Sequence, residues 1–222
     1  MDAMVSRTTR LNPLHDRPTM RGWLHAAAFC VAIPAGLVLL MAANGTSGVV
    51  AAAIYATSLL LVFGTSALYH RWHRDDQVRV WLQRLDHSMI YLLITGTYVP
   101  LCLVALPPQW GIPLLAVIGT IALTGILWKL FAFHRAQWFS TALYLVMGWA
   151  AIAASPALVQ HLSTTQLVLV VAGGVAYTVG FPVLILNRPN PWPRSFGYHE
   201  VWHSFTVVAA GLHFAAVAAV VA

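Results

Sequence analysis

Residues 197–214 read GYHEVWHSFTVVAAGLHF, and from Val201 to Ala222 the chain carries no Asp, Glu, Lys or Arg. About 20 apolar residues are what an α-helix needs to cross the hydrocarbon core of a bilayer. The segment therefore reads as a membrane span. Yet His199 and His203 stand four residues apart at its mouth, and ionisable side chains in a span are costly and find a partner or a purpose. Two questions follow: how many such spans the chain has, and what brings imidazoles to the end of one.

The whole chain answers the first. Of 222 residues, 59% are hydrophobic and 8% charged, with mean hydropathy +0.75. A soluble domain carries about 25% charged residues, so the composition is that of a polytopic, all-α membrane protein. Seven apolar runs meet the length criterion, at 23–43, 47–70, 86–106, 111–132, 138–155, 166–187 and 199–221. The fifth is the shortest, and a short stretch around AFHRAQWF joins it to the fourth as a tight hairpin. The expected organisation is a short, flexible, polar leader over 1–22 followed by a seven-helix transmembrane bundle over 23–222. The basic leader ahead of the first run and the six runs after it argue against a cleaved signal peptide.

The net charge of +6 is explained by where the basic residues stand. They fall in four groups: Arg7, Arg10, Arg17 and Arg21; Arg71, Arg74, Arg79 and Arg84; Lys129 and Arg135; Arg188 and Arg194. Every one lies in the leader, around the second gap, around the turn after the fourth run or in the sixth gap. The alternate gaps, ANGTSG, LPPQWG and SPALVQHLSTTQ, hold none. Basic residues stay on the cytoplasmic side, so the N-terminus is expected inside and the C-terminus outside. The pattern gives no reason to expect nucleic acid as a partner, and it sets no oligomeric state. Tryptophans 23, 72, 81, 128, 138 and 192 fall near the inner ends, as an interfacial aromatic belt does. Cys30 and Cys102 lie inside apolar runs and are expected as small core thiols rather than a disulfide.

The alternation of spans brings the remaining polar residues to one depth. The second run ends GTSALYHRWH, with Ser66 and His70 four apart; the third opens with Asp86 and His87; the seventh opens with His199, Glu200 and His203. Residues four apart share a helix face. Three histidines with an open fourth position make the ligand set of a catalytic zinc site. Asp86 suits orienting a ligand or accepting a proton, and equally suits the start of a helix, where a negative charge meets the dipole. Ser66 suits a hydrogen bond at the site, or one to its own helix backbone. Glu200 points about 100° from His199 and is expected to be interfacial. His15, His25, His134 and His161 are expected in tails, loops or span ends without polar company. His73 is expected in a loop, His87 as a minor ligand alternative, and His213 bonded to a neighbouring helix.

These residues also carry a resemblance. SALYH at 66–70, Asp86 after it, and HEVWH at 199–203, with LDHSMIYLLITGTYVP and YHEVWHSFTVVAAGLHF around them, resemble the haemolysin III family, which belongs with the adiponectin- and progestin-receptor proteins. The likeness runs from about Trp23 to the end and is nearest to the bacterial branch. It implies a seven-helix bundle in an inner (plasma) membrane, with Zn2+ held near the cytoplasmic side by His70, His199 and His203. It places Asp86 and Ser66 beside the ion's open position as catalytic groups. Relatives associated with ceramide hydrolysis imply a lipid amide or ester as substrate. The short leader departs from the receptor pattern. Two rival functions are a regulator or sensor in which zinc is structural, and a haemolysin-like permeabilising protein. A pore calls for a polar stripe along several spans, and the outer halves of these runs are almost wholly apolar.

Overall fold

The computed structural model describes residues 18–72 and 75–222. Most of the leader, with His15, and also His73 lie outside the described residues. Among those described there is no β-strand, and seven helical segments are long and apolar enough to cross a membrane. They are α1 (Trp23–Ala42), α2 (Gly45–Arg71), α3 (Asp76–Pro100) with a π-turn over Leu101–Ala105, α4 (Pro108–Phe131), a fifth segment, α7 (Thr164–Leu186) and α8 (Tyr198–Val221). The fifth segment is composite: α5 (Gln137–Trp149), a 3-10 stretch (Ala150–Ala154) and α6 (Ser155–His161). It reaches His161, six residues beyond the expected end at 155, and is one of the longer spans rather than the shortest. The third helix begins ten residues earlier than expected, because the Asp75 carboxylate accepts the Gln77 amide at 2.7 Å and caps a polar first stretch.

Contacts at the helix ends establish that sequence neighbours run antiparallel. At one end, Gly22 before α1 packs on His70 and Arg71 at the end of α2, Arg21 pairs with Glu200 at the start of α8, and Arg84 near the start of α3 donates to Leu130 O near the end of α4. At the other end, Asn44 after α1 donates to the backbone at Val221 and Ala222, and Gln166 of α7 reaches Ala219 O. Among the described residues, Arg21, Arg71, Arg84 and Arg194 share the first end with the histidine cluster. Lys129 lies in the last turn of α4. It is buried, with its ammonium 5.3 Å from the Phe133 ring and 5.8 Å from the Tyr144 ring.

The core is organised around α2, which is lined with small residues. Ala51, Ala52, Tyr55, Leu59, Val62 and Phe63 are buried against Leu39 of α1, Leu93 and Val99 of α3 and Ala210 and Val217 of α8. A second cluster joins α3, α4 and α5 through Tyr91, Tyr98, Ile118 and Met147. Tyr91 lies over Gly125, where a Cβ would collide with its ring, and donates to Ser140 O. Tyr98 donates to Met147 O at 2.7 Å and accepts from Ala151 N at 2.8 Å, satisfying backbone groups where α5 gives way to the 3-10 stretch. The outside is apolar: Val31, Val38, Met41, Ile112, Leu127 and Val168 are exposed. Patches of that extent on a soluble protein would be an aggregation liability; on seven spans they form the lipid-facing surface. Cys30 is part of it, contrary to the expectation of two core thiols, whereas Cys102 is buried; both are free.

Candidate metal centre

His70 ends α2 and Ser66 stands one turn before it; Asp86 lies on α3; His199 and His203 open α8. The structure brings the three expected imidazoles together. One ligand nitrogen from each of His70, His199 and His203 lies within 4.8 Å of the other two. His70 Nε2 and His199 Nε2 are 3.1 Å apart. Two imidazole nitrogens on one tetrahedral ion, each about 2.0–2.1 Å from it, stand about 3.4 Å from each other, so this pair is spaced for a shared ion. The rings meet at 4.7 Å (His70–His199), 4.3 Å (His199–His203) and 5.3 Å (His70–His203). His70 and His203 are buried, and no Asp, Glu or Cys joins the set among the described residues.

Asp86 Oδ2 lies 4.0 Å from His70 Nε2, with its side chain 16% exposed, and the buried Ser66 stands one turn before His70 on α2. The expected carboxylate and hydroxyl thus flank the histidines on the α2–α3 side. His87 is turned away: its Nδ1 is 2.8 Å from Gln83 O and its ring meets Phe133 edge-on at 5.2 Å. It is not one of the converging ligands. His213 lies farther along α8, with Nε2 3.1 Å from Val170 O, over Gly173 where a Cβ would collide with its ring.

Two residues take places the sequence reading did not give them. Glu200 is not one of the converging ligands, as expected, but it is buried within the protein, 1% exposed. It accepts the Gly197 amide at 2.8 Å, which caps α8, and forms an ion pair with Arg21. That pair and the backbone bonds Thr19 N to Arg194 O and Met20 N to Ser195 O tie the segment before α1 to the segment before α8. Gly22 turns the chain between them with φ 82°, a conformation that favours glycine. A Cβ there would also lie 2.8 Å from His70 Cβ. The second residue is His25 of α1. Expected without polar company, it is buried and stacks on His203, ring centroids 3.7 Å apart and planes within 4°. Sequence signals for both were faint: Glu200 stands three residues into a helix after a glycine, and His25 stands four residues after Arg21 near the start of a span.

The donor set of three imidazoles suits a divalent ion that accepts nitrogen ligands. The likeness to known proteins covers the same residues. The family model for "Haemolysin-III related" proteins matches residues 15–214. The chain is 34% identical to Hemolysin-3 of Bacillus cereus over 214 residues, which is 95% of this chain and 94% of that one. It is 36% identical to the Hemolysin-3 homolog of Bacillus subtilis (strain 168) over 193 residues, 86% of this chain and 87% of that one. With a family model matched over most of its length and relatives covered nearly end to end, this multi-pass membrane protein belongs to the haemolysin III family.

Proposed function

We propose that the chain is a zinc-dependent hydrolase of the cytoplasmic membrane that cleaves an amide or ester bond of a membrane lipid at the inner leaflet. The observation that carries the reading is the convergence of His70, His199 and His203 from two helices, with Asp86 and Ser66 beside them. The ion, when bound, supplies Lewis-acid polarisation of a carbonyl and makes water acidic enough to deprotonate near pH 7. The chain's own groups do the rest. The two-helix histidine set holds the ion in a site shielded from bulk water. The Asp86 carboxylate takes the proton of the attacking water and returns it to the leaving amine or alkoxide. Ser66 orients that carboxylate or donates to the developing oxyanion. The basic residues flanking this end of the spans support a cytoplasmic position for it. A scissile bond just below the headgroups then lies at the depth of the histidines, with the acyl chain between helices.

The test is turnover of a panel of lipid amides and esters by detergent-purified protein, wild type against Asp86→Asn. The variant is expected to keep its zinc and lose about 10²–10⁴ in rate. A variant with zinc and full turnover removes Asp86 from the chemistry. One observation favours a second reading, in which zinc is structural: the histidines join α2 to α8, and Arg21 with Glu200 closes the same end. Zinc-loaded wild type that turns over no lipid class, yet loses stability when stripped of metal, selects it. The relatives' names speak of haemolysis in those proteins. Here Tyr55, Tyr91, Leu39 and Ile118 are fully buried and fill the interior between the helices.

A further inference from the structure

His25 is a costly choice for a packing residue. Its ring is 4% exposed, one face lies flat on His203 at 3.7 Å, and Phe63 meets it at 5.1 Å with planes at 62°. Both ring nitrogens are buried and neither has a hydrogen-bond partner among the described residues. Leaving a buried polar group unmet costs about 1–3 kcal/mol. Phenylalanine would fill the same slot, stack on His203 and meet Phe63 without that cost. Nor is His25 a fourth convergent ligand, because its nitrogens do not join the three that lie within 4.8 Å of one another. What distinguishes imidazole from phenyl here is a hydrogen-bonding edge, set parallel to a candidate ligand ring and next to the centre.

We propose that His25 is a positioning residue of the histidine centre: its ring fixes the rotation of His203 by stacking, and one of its nitrogens hydrogen-bonds a polar group held at the centre beside His203. This rests on the metal reading above and deepens it. It adds a fourth helix, α1, to a site otherwise built from α2, α3 and α8. It also gives the end of α1, tied to α8 through Arg21 and Glu200, a direct bearing on how His203 is presented. Groups that hydrogen-bond around metal ligands typically change metal affinity by about 10–100-fold when removed, which sets the expected size of the effect.

The experiment titrates detergent-purified, metal-stripped full-length protein with Co2+, reading affinity and the visible ligand-field bands, which report coordination geometry. His25→Phe keeps the stacked ring and removes the nitrogens. It is expected to bind Co2+ about ten-fold more weakly, with altered bands, while the metal-free protein melts no lower than wild type. His25→Gln restores a hydrogen-bonding edge and is expected to recover most of the affinity. His25→Phe with wild-type affinity and bands overturns the proposal, as does His25→Gln binding no better than His25→Phe. Should His25→Phe fail to fold, His25→Gln against His25→Leu carries the same test, and equal affinities overturn it. Wild type that binds no cobalt overturns the metal reading together with this one. A wild type that binds and a His25→Phe that matches it overturn this one alone.

Discussion

Removing the Arg21 side chain tests whether the end of the bundle that holds the histidines is pinned by one ion pair. Glu200 is 1% exposed and Arg21 19% exposed, so Arg21→Ala strands a carboxylate that water does not reach. Its remaining partner is the Gly197 amide, a single neutral donor. Breaking a buried pair from one side costs about 3–5 kcal/mol, because the surviving charge is left uncompensated. The amide bond and the partial exposure of Arg21 favour the lower end, about 3 kcal/mol. At about 2–4 °C per kcal/mol for a chain of this size, melting in detergent should fall by about 6–12 °C. Adding Glu200→Gln removes the stranded charge while an amide oxygen still accepts from Gly197, so the double variant should recover more than half of the loss. Because Glu200 stands between His199 and His203, the single variant should also bind zinc more weakly. Arg21→Ala melting within 1 °C of wild type, or a double variant less stable than either single one, would refute the reasoning.

Three further substitutions probe the packing that presents the site. Gly125→Ala sets a Cβ against the Tyr91 ring and displaces its bond to Ser140 O, and should cost about 1–3 kcal/mol in thermal stability. Tyr98→Phe leaves Met147 O and Ala151 N without their side-chain partner at the break in the fifth span. It should cost about 1–3 kcal/mol, with faster amide hydrogen exchange confined to residues 147–154. Gly22→Ala meets both a left-handed backbone and the His70 side chain. It should lower zinc affinity as well as melting temperature, by about 1–3 kcal/mol in stability; an unchanged zinc affinity would separate the turn from the site.

The seven spans were legible in the sequence because lipid imposes a length and an apolar composition that no buried soluble helix shares. The sharing of one end by His70, Asp86, His199 and His203 followed from alternation alone, once the spans were counted. Boundaries failed where local chemistry, not hydropathy, sets them. Asp75 caps a polar first stretch of α3 well ahead of the apolar run, and Tyr98 satisfies the backbone where the fifth span changes helix type, so the span continues past Ser155. The misplaced residues failed for a different reason. Glu200 was read by its angle from His199, yet its partner, Arg21, lies 179 residues away. His25 was read by its own neighbours in sequence, yet the residue it stacks on stands on α8. Which helices lie side by side is a property of packing, and a hydropathy pattern does not encode it. Cys30 shows the same limit from outside: an apolar run does not say which of its faces meets lipid.

The account stands on one ion shared by histidines of α2 and α8, and the zinc content of purified protein tests it most directly. After zinc is supplied and free metal removed, wild type should retain about one zinc per chain, and His70→Ala and His203→Ala, folded and monodisperse, should each retain almost none. Wild type without stoichiometric zinc, or either variant with a full complement of it, would contradict the account.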